Sequence, residues 1–266
     1  MKLTAGLLLT TSVLAAPRSG LEDRLRARSI FSHQTTPLQP VSDDTISNFR
    51  VAKTVSYSNN WAGVVREQPP PQGPYTAVSA TFTIPKPTAV SRGPVEAGSA
   101  WVGIDGDTYP NAILQAGVDF YDENGRTWNN AWYEWYPDVA YNFDVLVETG
   151  DTIFAKVQSL SPSQGVAIIE NRSNGQSATQ TIQAPNPQAT LAGKNADWIV
   201  EDFQSGKEMV ALADFSSVTF TGAGAEAGGS HFGVGDATVI ELKQNDKVLT
   251  DVETQGDSQI RVNYVK

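Results

Sequence analysis

From about Ser56 onward the chain is a succession of short segments in which apolar and polar residues alternate, separated by turn residues. Alternation with a period of two is typical of a strand with one buried face, whereas an amphipathic helix needs a period near 3.6. No stretch shows sustained helical periodicity, and the strand-like segments recur about every ten residues. Such spacing predicts an all-β protein, an antiparallel two-sheet β-sandwich.

Two stretches have the composition of β-hairpins. Residues 143–157 contain the tripeptide TGD at 149–151, and residues 165–182 contain NG at 174–175. Asn-Gly between alternating segments is typical of a two-residue type I′ turn. We therefore predict a hairpin at each place.

The N-terminus has the features of a secretory signal peptide. Lys2 is followed by an apolar run over residues 3–16, with small residues before a cleavage site after Ala15. The run is too short to span a bilayer. We therefore predict a signal peptide at residues 1–15 and an extracellular protein with no membrane partner.

Charge divides the rest of the chain into two parts. Residues 16–53 are polar, with six basic and four acidic side chains, whereas residues 54–266 carry about 12 basic and 25 acidic ones. The overall charge of -10 disfavours a nucleic-acid or anionic-membrane partner. We predict that residues 16–53 are a propeptide, removed on maturation, that inhibits an acidic domain spanning residues 54–266. The same balance predicts lower stability at pH 7 than at pH 4.

The chain has no cysteine and only two histidines, His33 and His231. Thiol nucleophiles, zinc fingers and iron–sulfur sites are therefore excluded, which leaves carboxylates, hydroxyls and amides for chemistry. Residues 230–231 (SH) lack the nucleophile elbow of a serine hydrolase. Residues 105–107 (DGD) lack the full ligand spacing of a calcium loop. We predict no metal and no cofactor.

Four predicted strands each have one face that is neither ordinary core nor ordinary solvent surface. These faces carry aromatic, amide and carboxyl side chains: Trp101, Gly103 and Asp105; Ile113, Gln115, Gly117 and Asp119; Trp132, Glu134 and Tyr136; Ile199, Glu201 and Phe203. Side by side they would form a groove with aromatic walls and a polar floor, suited to an extended polymer. The alternative is a set of partly exposed strands with scattered aromatics.

Five motifs follow one another in a fixed order through the same region. They are residues 58–64 (SNNWAGV), 101–106 (WVGIDG), 113–120 (ILQAGVDF), 132–137 (WYEWYP) and 198–203 (WIVEDF). Together they resemble the motifs of the glutamic peptidases, the eqolisin family of secreted fungal acid proteases. The resemblance implies a β-sandwich of concanavalin-like or jelly-roll type, polypeptide substrates and a catalytic pair formed by Gln115 and Glu201.

The chemistry of these two residues suits peptide hydrolysis in acid. Glu201 would deprotonate the attacking water and then protonate the leaving nitrogen, because an ordinary Glu, with a pKa near 4.3, exchanges protons readily there. Gln115 would donate an amide N–H, whose charge is independent of pH, to the tetrahedral oxyanion.

Further residues are expected to line or support the groove. We place Trp61, Trp101, Asp105, Asp119 and Glu134 among the substrate-binding residues, with Asp105 or Glu134 orienting the catalytic pair. Structural turns and strand packing are the alternative role for each of them.

One departure from the resembled family lies in the loop that holds Tyr109 and Pro110, where family members carry a cysteine. The expected cross-link is absent, so its loss bears on the rigidity of this loop. The resemblance implies a secreted acid endopeptidase, and we expect it to be a monomer. A lectin-like carbohydrate-binding sandwich and a glycosidase using Glu201 with another carboxylate are the alternatives. A sequon at Asn171 leaves glycosylation open.

Overall fold

The computed structural model describes residues 33–42, 55–91 and 93–265. Within these ranges the regular structure consists of strands, with no helix. No helix in this part of the chain is long and apolar enough to cross a membrane. The predicted signal peptide lies outside the described residues, as do both boundaries of the predicted propeptide.

Two large sheets and one small sheet make up the fold. The larger sheet runs in the order β19 (Lys247–Val248), β18 (Thr238–Gln244), β3 (Trp61–Arg66), β12 (Ala196–Glu201), β5 (Val95–Ile104), β6 (Ile113–Glu123), β7 (Arg126–Tyr136) and β8 (Tyr141–Asn142), with β15 (Ala211–Leu212) beside β5 and β2 (Val55–Ser58) beside β18. Only β15 and β2 pair in parallel in this sheet; its other pairs are antiparallel.

The second large sheet is antiparallel throughout. Its order is β11 (Gln176–Gln183), β10 (Gln164–Asn171), β9 (Thr152–Ser161), β4 (Tyr75–Thr83), β16 (Ser217–Ala227), β21 (Gln259–Tyr264) and β20 (Thr250–Gln255), with β17 (Ser230–Phe232) beside β16. The small sheet joins β1 (His33–Gln34), β13 (Gln204–Ser205) and β14 (Glu208–Met209). The predicted antiparallel two-sheet sandwich is confirmed.

The main core lies between the two large sheets. Val102, Val118 and Val200 from the ten-stranded sheet join one buried cluster with residues of the eight-stranded sheet such as Val157 and Phe220. Since alternate residues of a strand face opposite ways, the intervening residues emerge on the other face of the ten-stranded sheet. A second buried cluster forms there: Trp61, Val65, Trp101, Ile113, Trp132, Ile199 and Ile240.

The two predicted hairpins have different outcomes. β10 and β11 pair antiparallel as predicted, but four residues connect them, and Gly175 has a positive φ (76°) while Asn174 does not, so the turn is not type I′. The other prediction is wrong. Residues 143–148 form no ladder with β9, which pairs with β10 and β4 instead. Val145 and Val147 are buried in the main core, and this packing produces the alternation that indicated a strand.

The loop between β5 and β6 is fastened by hydrogen bonds. The Tyr109 hydroxyl donates to the carbonyl of Thr190 over 3.1 Å, and the Tyr109 carbonyl accepts the N–H of Gly106 over 3.0 Å. Its ring is partly buried against the main core. Tyr109 therefore ties down this loop by hydrogen bonding and packing.

Candidate active site

Strand register brings the predicted site residues onto one face of the ten-stranded sheet. Gln115 on β6 pairs with Glu134 on β7, and Glu201 on β12 pairs with Trp61 on β3. Trp101 on β5, between β6 and β12, pairs with Gly117 and Ile199. Directly paired residues point the same way, so amide, carboxyl and indole groups emerge together on the second-cluster face.

Glu201 is fully buried and held by three N–H donors. Trp101 Nε1 donates to Glu201 Oε2 over 2.9 Å, the main-chain N–H of Thr36 donates to Oε1 over 3.3 Å, and Asn60 Nδ2 approaches Oε1 at 3.5 Å. Burial raises the pKa of Glu201 well above its ordinary value, and the bonds from Thr36 and Trp101 oppose that rise. Glu201 therefore differs from the ordinary carboxyl group assumed from sequence.

Gln115 is also fully buried. Neither its amide nitrogen nor its carbonyl oxygen has a hydrogen-bond partner among the described residues, and the same holds for Glu134 Oε1 across the ladder. Unpartnered buried polar atoms are costly and rare, and they often mark functional positions. The amide of Gln115 can therefore donate to a group that enters the groove.

Two more carboxyl groups belong to this face. Glu134 Oε2 accepts the N–H of Thr35 over 3.2 Å, and Asp119 Oδ2 accepts His33 Nδ1–H over 2.7 Å and the Tyr121 hydroxyl over 2.9 Å. Burial raises the pKa of Glu134 well above its ordinary value, as do the nearby charges of Glu201 and Asp119. Glu134 therefore retains its proton more readily than an isolated carboxyl group does.

Tryptophans form the walls of the groove. Trp61 meets Trp101 edge to face, with ring centroids 4.9 Å apart, and its indole N–H donates to the carbonyl of Thr36 over 3.1 Å. Trp132 donates to Ser99 Oγ over 3.2 Å. These rings exclude water from the carboxyl groups and direct one N–H donor at a peptide carbonyl.

Asp105 serves a different purpose. Its carboxylate accepts four main-chain N–H groups from the segment that precedes β12, at 2.6–3.4 Å: those of Ala192, Gly193, Lys194 and Asn195. It adopts a left-handed conformation with φ at 69°. These bonds anchor the chain leading into the strand of Glu201, and none of them involves Gln115 or Glu201.

Sequence reasoning missed the groups that cover this face. Thr35 and Thr36 contact Glu134 and Glu201, although they lie in the predicted propeptide. Asn60 was also missed: its Nδ2 approaches the carbonyls of Thr36 and Pro37 at 3.2 and 3.3 Å. Asn60 immediately precedes Trp61 in the first motif, so that motif could have indicated it.

Comparison with known proteins shows which proteins this chain resembles. The model of the Peptidase A4 family matches residues 59–264. Aspergillopepsin-2 of Aspergillus niger is 44% identical, with 98% of this chain and 97% of that protein covered. The crystal structure of scytalido-glutamic peptidase with a transition state analog inhibitor has a TM-score of 0.71 at 33% identity, covering 78% of this chain and 98% of that one.

A second solved structure carries a peptide. SCP-B, described as a member of the eqolisin family, is in a complex with the tripeptide Ala-Ile-His; it has a TM-score of 0.67 at 33% identity and covers 78% of this chain and 98% of that one. The family match spans most of the chain, and it includes Gln115, Glu134 and Glu201. The chain therefore belongs to the Peptidase A4 family, the eqolisin glutamic peptidases.

Proposed function

We propose that this chain is a secreted acid endopeptidase in which Gln115 and Glu201 perform the hydrolysis. Glu201 takes a proton from water, the resulting hydroxide attacks the scissile carbonyl carbon, and the Gln115 amide N–H donates to the developing oxyanion. Glu201 then gives its proton to the leaving nitrogen as the C–N bond breaks. Every proton in this sequence moves between substrate, water and Glu201.

One observation carries this proposal. Glu201 and the unpartnered amide of Gln115 are both fully buried on one face of a single sheet, and the main-chain N–H of Thr36 donates to Glu201. Glu201 must be ionised to take the first proton, and the N–H groups of Thr36 and Trp101 favour that form; the burial that raises its pKa then lets it hold the proton until the leaving nitrogen accepts it. A neutral amide donor keeps its function at any pH.

The groove makes its contacts chiefly with main-chain atoms. The side chains of Glu134, Glu201 and Trp61 bond the N–H of Thr35, the N–H of Thr36 and the carbonyl of Thr36, respectively. Groups spaced to match successive peptide units favour a polypeptide substrate over a glycan. The tripeptide bound to SCP-B agrees with this substrate class.

The protein is proposed to be made as a precursor. The apolar N-terminus would direct secretion, residues 16–53 would inhibit the enzyme as a propeptide, and the mature domain would act as a monomer. The contacts of Thr35 and Thr36 with the groove support inhibition by this region.

The test is proteolysis of a denatured protein at acid pH by Gln115→Ala and Glu201→Gln. Loss of one oxyanion donor typically costs roughly 10²–10³ in rate, so Gln115→Ala should be severely impaired, and Glu201→Gln, without its exchangeable proton, should be at least as poor. Gln180→Ala and Glu253→Gln change exposed residues of the same types and should retain parental activity. Parental activity in either site variant would refute the proposal, as would glycan binding without peptide cleavage in the parent.

A further inference from the structure

Residues 33–42 cross the groove as a segment that is fixed at both ends. At one end β1 pairs antiparallel with β13, and at the other the N–H of Val41 donates to the carbonyl of Tyr57 over 2.9 Å. Between them the N–H of Leu38 donates to the carbonyl of Gly106 over 3.0 Å. Bonds on both sides of the catalytic pair hold this segment in one register.

His33 is the side chain that anchors the first end. Its Nδ1–H donates to Asp119 Oδ2 over 2.7 Å, and its ring stacks on Phe203 at 4.3 Å between centroids with 9° between the planes. Trp132 lies against the ring at 4.6 Å, and Nε2 lies 2.9 Å from Thr35 Oγ1. Only 7% of the residue is exposed, so its bond to the carboxylate is shielded from water.

The register places a main-chain N–H, rather than a carbonyl, against Glu201. The N–H of Thr36 donates to Glu201 Oε1, while the carbonyl of Thr36 accepts from Trp61 Nε1 and Asn60 Nδ2. Glu201 Oε2 is occupied by Trp101. Within the described part of the chain no carbonyl bonds to Gln115.

Hydrolysis requires the opposite arrangement. The scissile carbonyl must accept from the oxyanion donor, and one oxygen of the general base must be free for water. In the bound segment, Pro37 disfavours the helical conformation for Thr36. The main chain is therefore biased toward an extended conformation at the residue whose N–H bonds to Glu201.

We propose, on the basis of the function proposed above, that residues 33–41 are a built-in inhibitor bound in a register that the enzyme does not hydrolyse. His33 anchors this inhibitor in the recess formed by Asp119, Trp132 and Phe203. The N–H of Thr36 occupies Glu201, which prevents Glu201 from activating water. The inhibitor thus blocks the base and leaves the oxyanion donor unused.

The test compares initial rates of intact full-length chains on a fluorogenic peptide at acid pH. His33→Ala removes the anchor, and Thr36→Pro removes the N–H that bonds to Glu201. Because a hydrogen bond to a charged group is worth roughly a tenfold to hundredfold change in an equilibrium constant, each variant should raise the initial rate by that factor. His231→Ala alters the other histidine, which is exposed, and should behave as the parent does.

N-terminal sequencing and intact mass of samples taken during activation provide a second measurement. The 35–36 peptide bond should stay intact while the first peptide substrate is consumed. Initial rates equal to that of the parent in both His33→Ala and Thr36→Pro would overturn the proposal, as would an early product beginning at Thr36. Absence of activity in every chain, before and after processing, would instead refute the proposed function.

Discussion

The indole N–H of Trp101 donates to Glu201 Oε2 over 2.9 Å, across the ladder that joins β5 to β12. The strand on the other side of Trp101 has glycine at the paired position, Gly117. A β-carbon there would lie 2.5 Å from Trp101 Cβ and 2.3 Å from the carbonyl oxygen of Ala100. The position of the indole therefore depends on a neighbour without a side chain.

Trp101→Phe should impair catalysis and move its pH dependence. Phenylalanine keeps an aromatic ring but removes the donor that favours ionised Glu201, so the pKa of Glu201 should rise further. We expect kcat/KM to fall about tenfold or more, and the limb that reports Glu201 ionisation to move to higher pH. The measurement is a pH profile of kcat/KM.

Trp135→Phe is the matched control for that profile. Trp135 also loses an indole bond, in this case to the carbonyl of Ala189 over 2.7 Å in the main core. Its profile should keep the parental midpoints. Equal midpoints in Trp101→Phe and the parent would show that the indole does not affect Glu201.

Gly117→Ala should destabilise the fold. The added methyl group would meet main-chain atoms of a paired strand, which cannot move without disrupting the ladder. We expect a loss of at least about 2 kcal/mol in the free energy of unfolding by denaturant. Gly224→Ala is the control, because its nearest neighbour would lie 3.7 Å away. Similar losses in the two variants would contradict this explanation.

Stability should fall as the pH rises from about 4 to about 8. Burial raises the pKa of Asp202 to about 7 and that of Asp107 to about 6, whereas both would titrate near 4 when unfolded. The stability from holding these protons is complete below the unfolded pKa and is lost as pH rises through the folded pKa. We expect the Tm to drop by roughly 5–10 °C over this range.

Asp202→Asn should reduce this pH dependence. The amide oxygen can still accept the bond that Gln244 Nε2 now donates to Asp202 Oδ2 over 2.7 Å, and no buried charge forms at high pH. Asp251→Asn, at an exposed position, should keep the full decline. The measurement is thermal unfolding at several pH values, and a constant parental Tm would disprove the expectation.

Asn171 should carry no glycan in the folded protein. Only 1% of it is exposed, and its Nδ2 donates to the carbonyl of Leu146 over 2.8 Å and to Asp151 Oδ2 over 2.6 Å. A glycan would replace one of these two hydrogens and would need space at a buried position. Intact mass before and after glycosidase treatment should be the same. A mass loss that disappears in Ser173→Ala would show that the site is occupied.

Local patterns predicted the four groove strands and the β10–β11 hairpin, but they failed where burial without strand pairing produced the same alternation. The pairing of β10 with β11 follows from alternation around Asn174 and Gly175. Residues 143–148 alternate in the same way, yet they form no ladder, because Val145 and Val147 are buried by packing alone. Alternation reports which side chains are buried; it does not report which main chain accepts the hydrogen bonds.

The features of the site also separate into those that local patterns predicted and those that only the structure revealed. The period of two placed Gln115, Glu134 and Glu201 on faces of one kind, and the ladders confirm that these faces adjoin. Asp105 shares that period, but its carboxylate binds the segment before β12. Local patterns could not predict the raised pKa of Glu201 or the lack of hydrogen-bond partners at the Gln115 amide. Both result from burial, and burial depends on every element that covers these two residues.

The sequence by itself determined the all-β class, the polar and aromatic strand faces and the family, because each is written in residue spacing along the chain. Only the tertiary structure decided that His33 meets Asp119 and that Thr36 meets Glu201, contacts that join residues 86 and 165 positions apart. No local period encodes such contacts. They depend on how the sheets bring distant strands together, and on which backbone groups of the covering segment find partners in the groove.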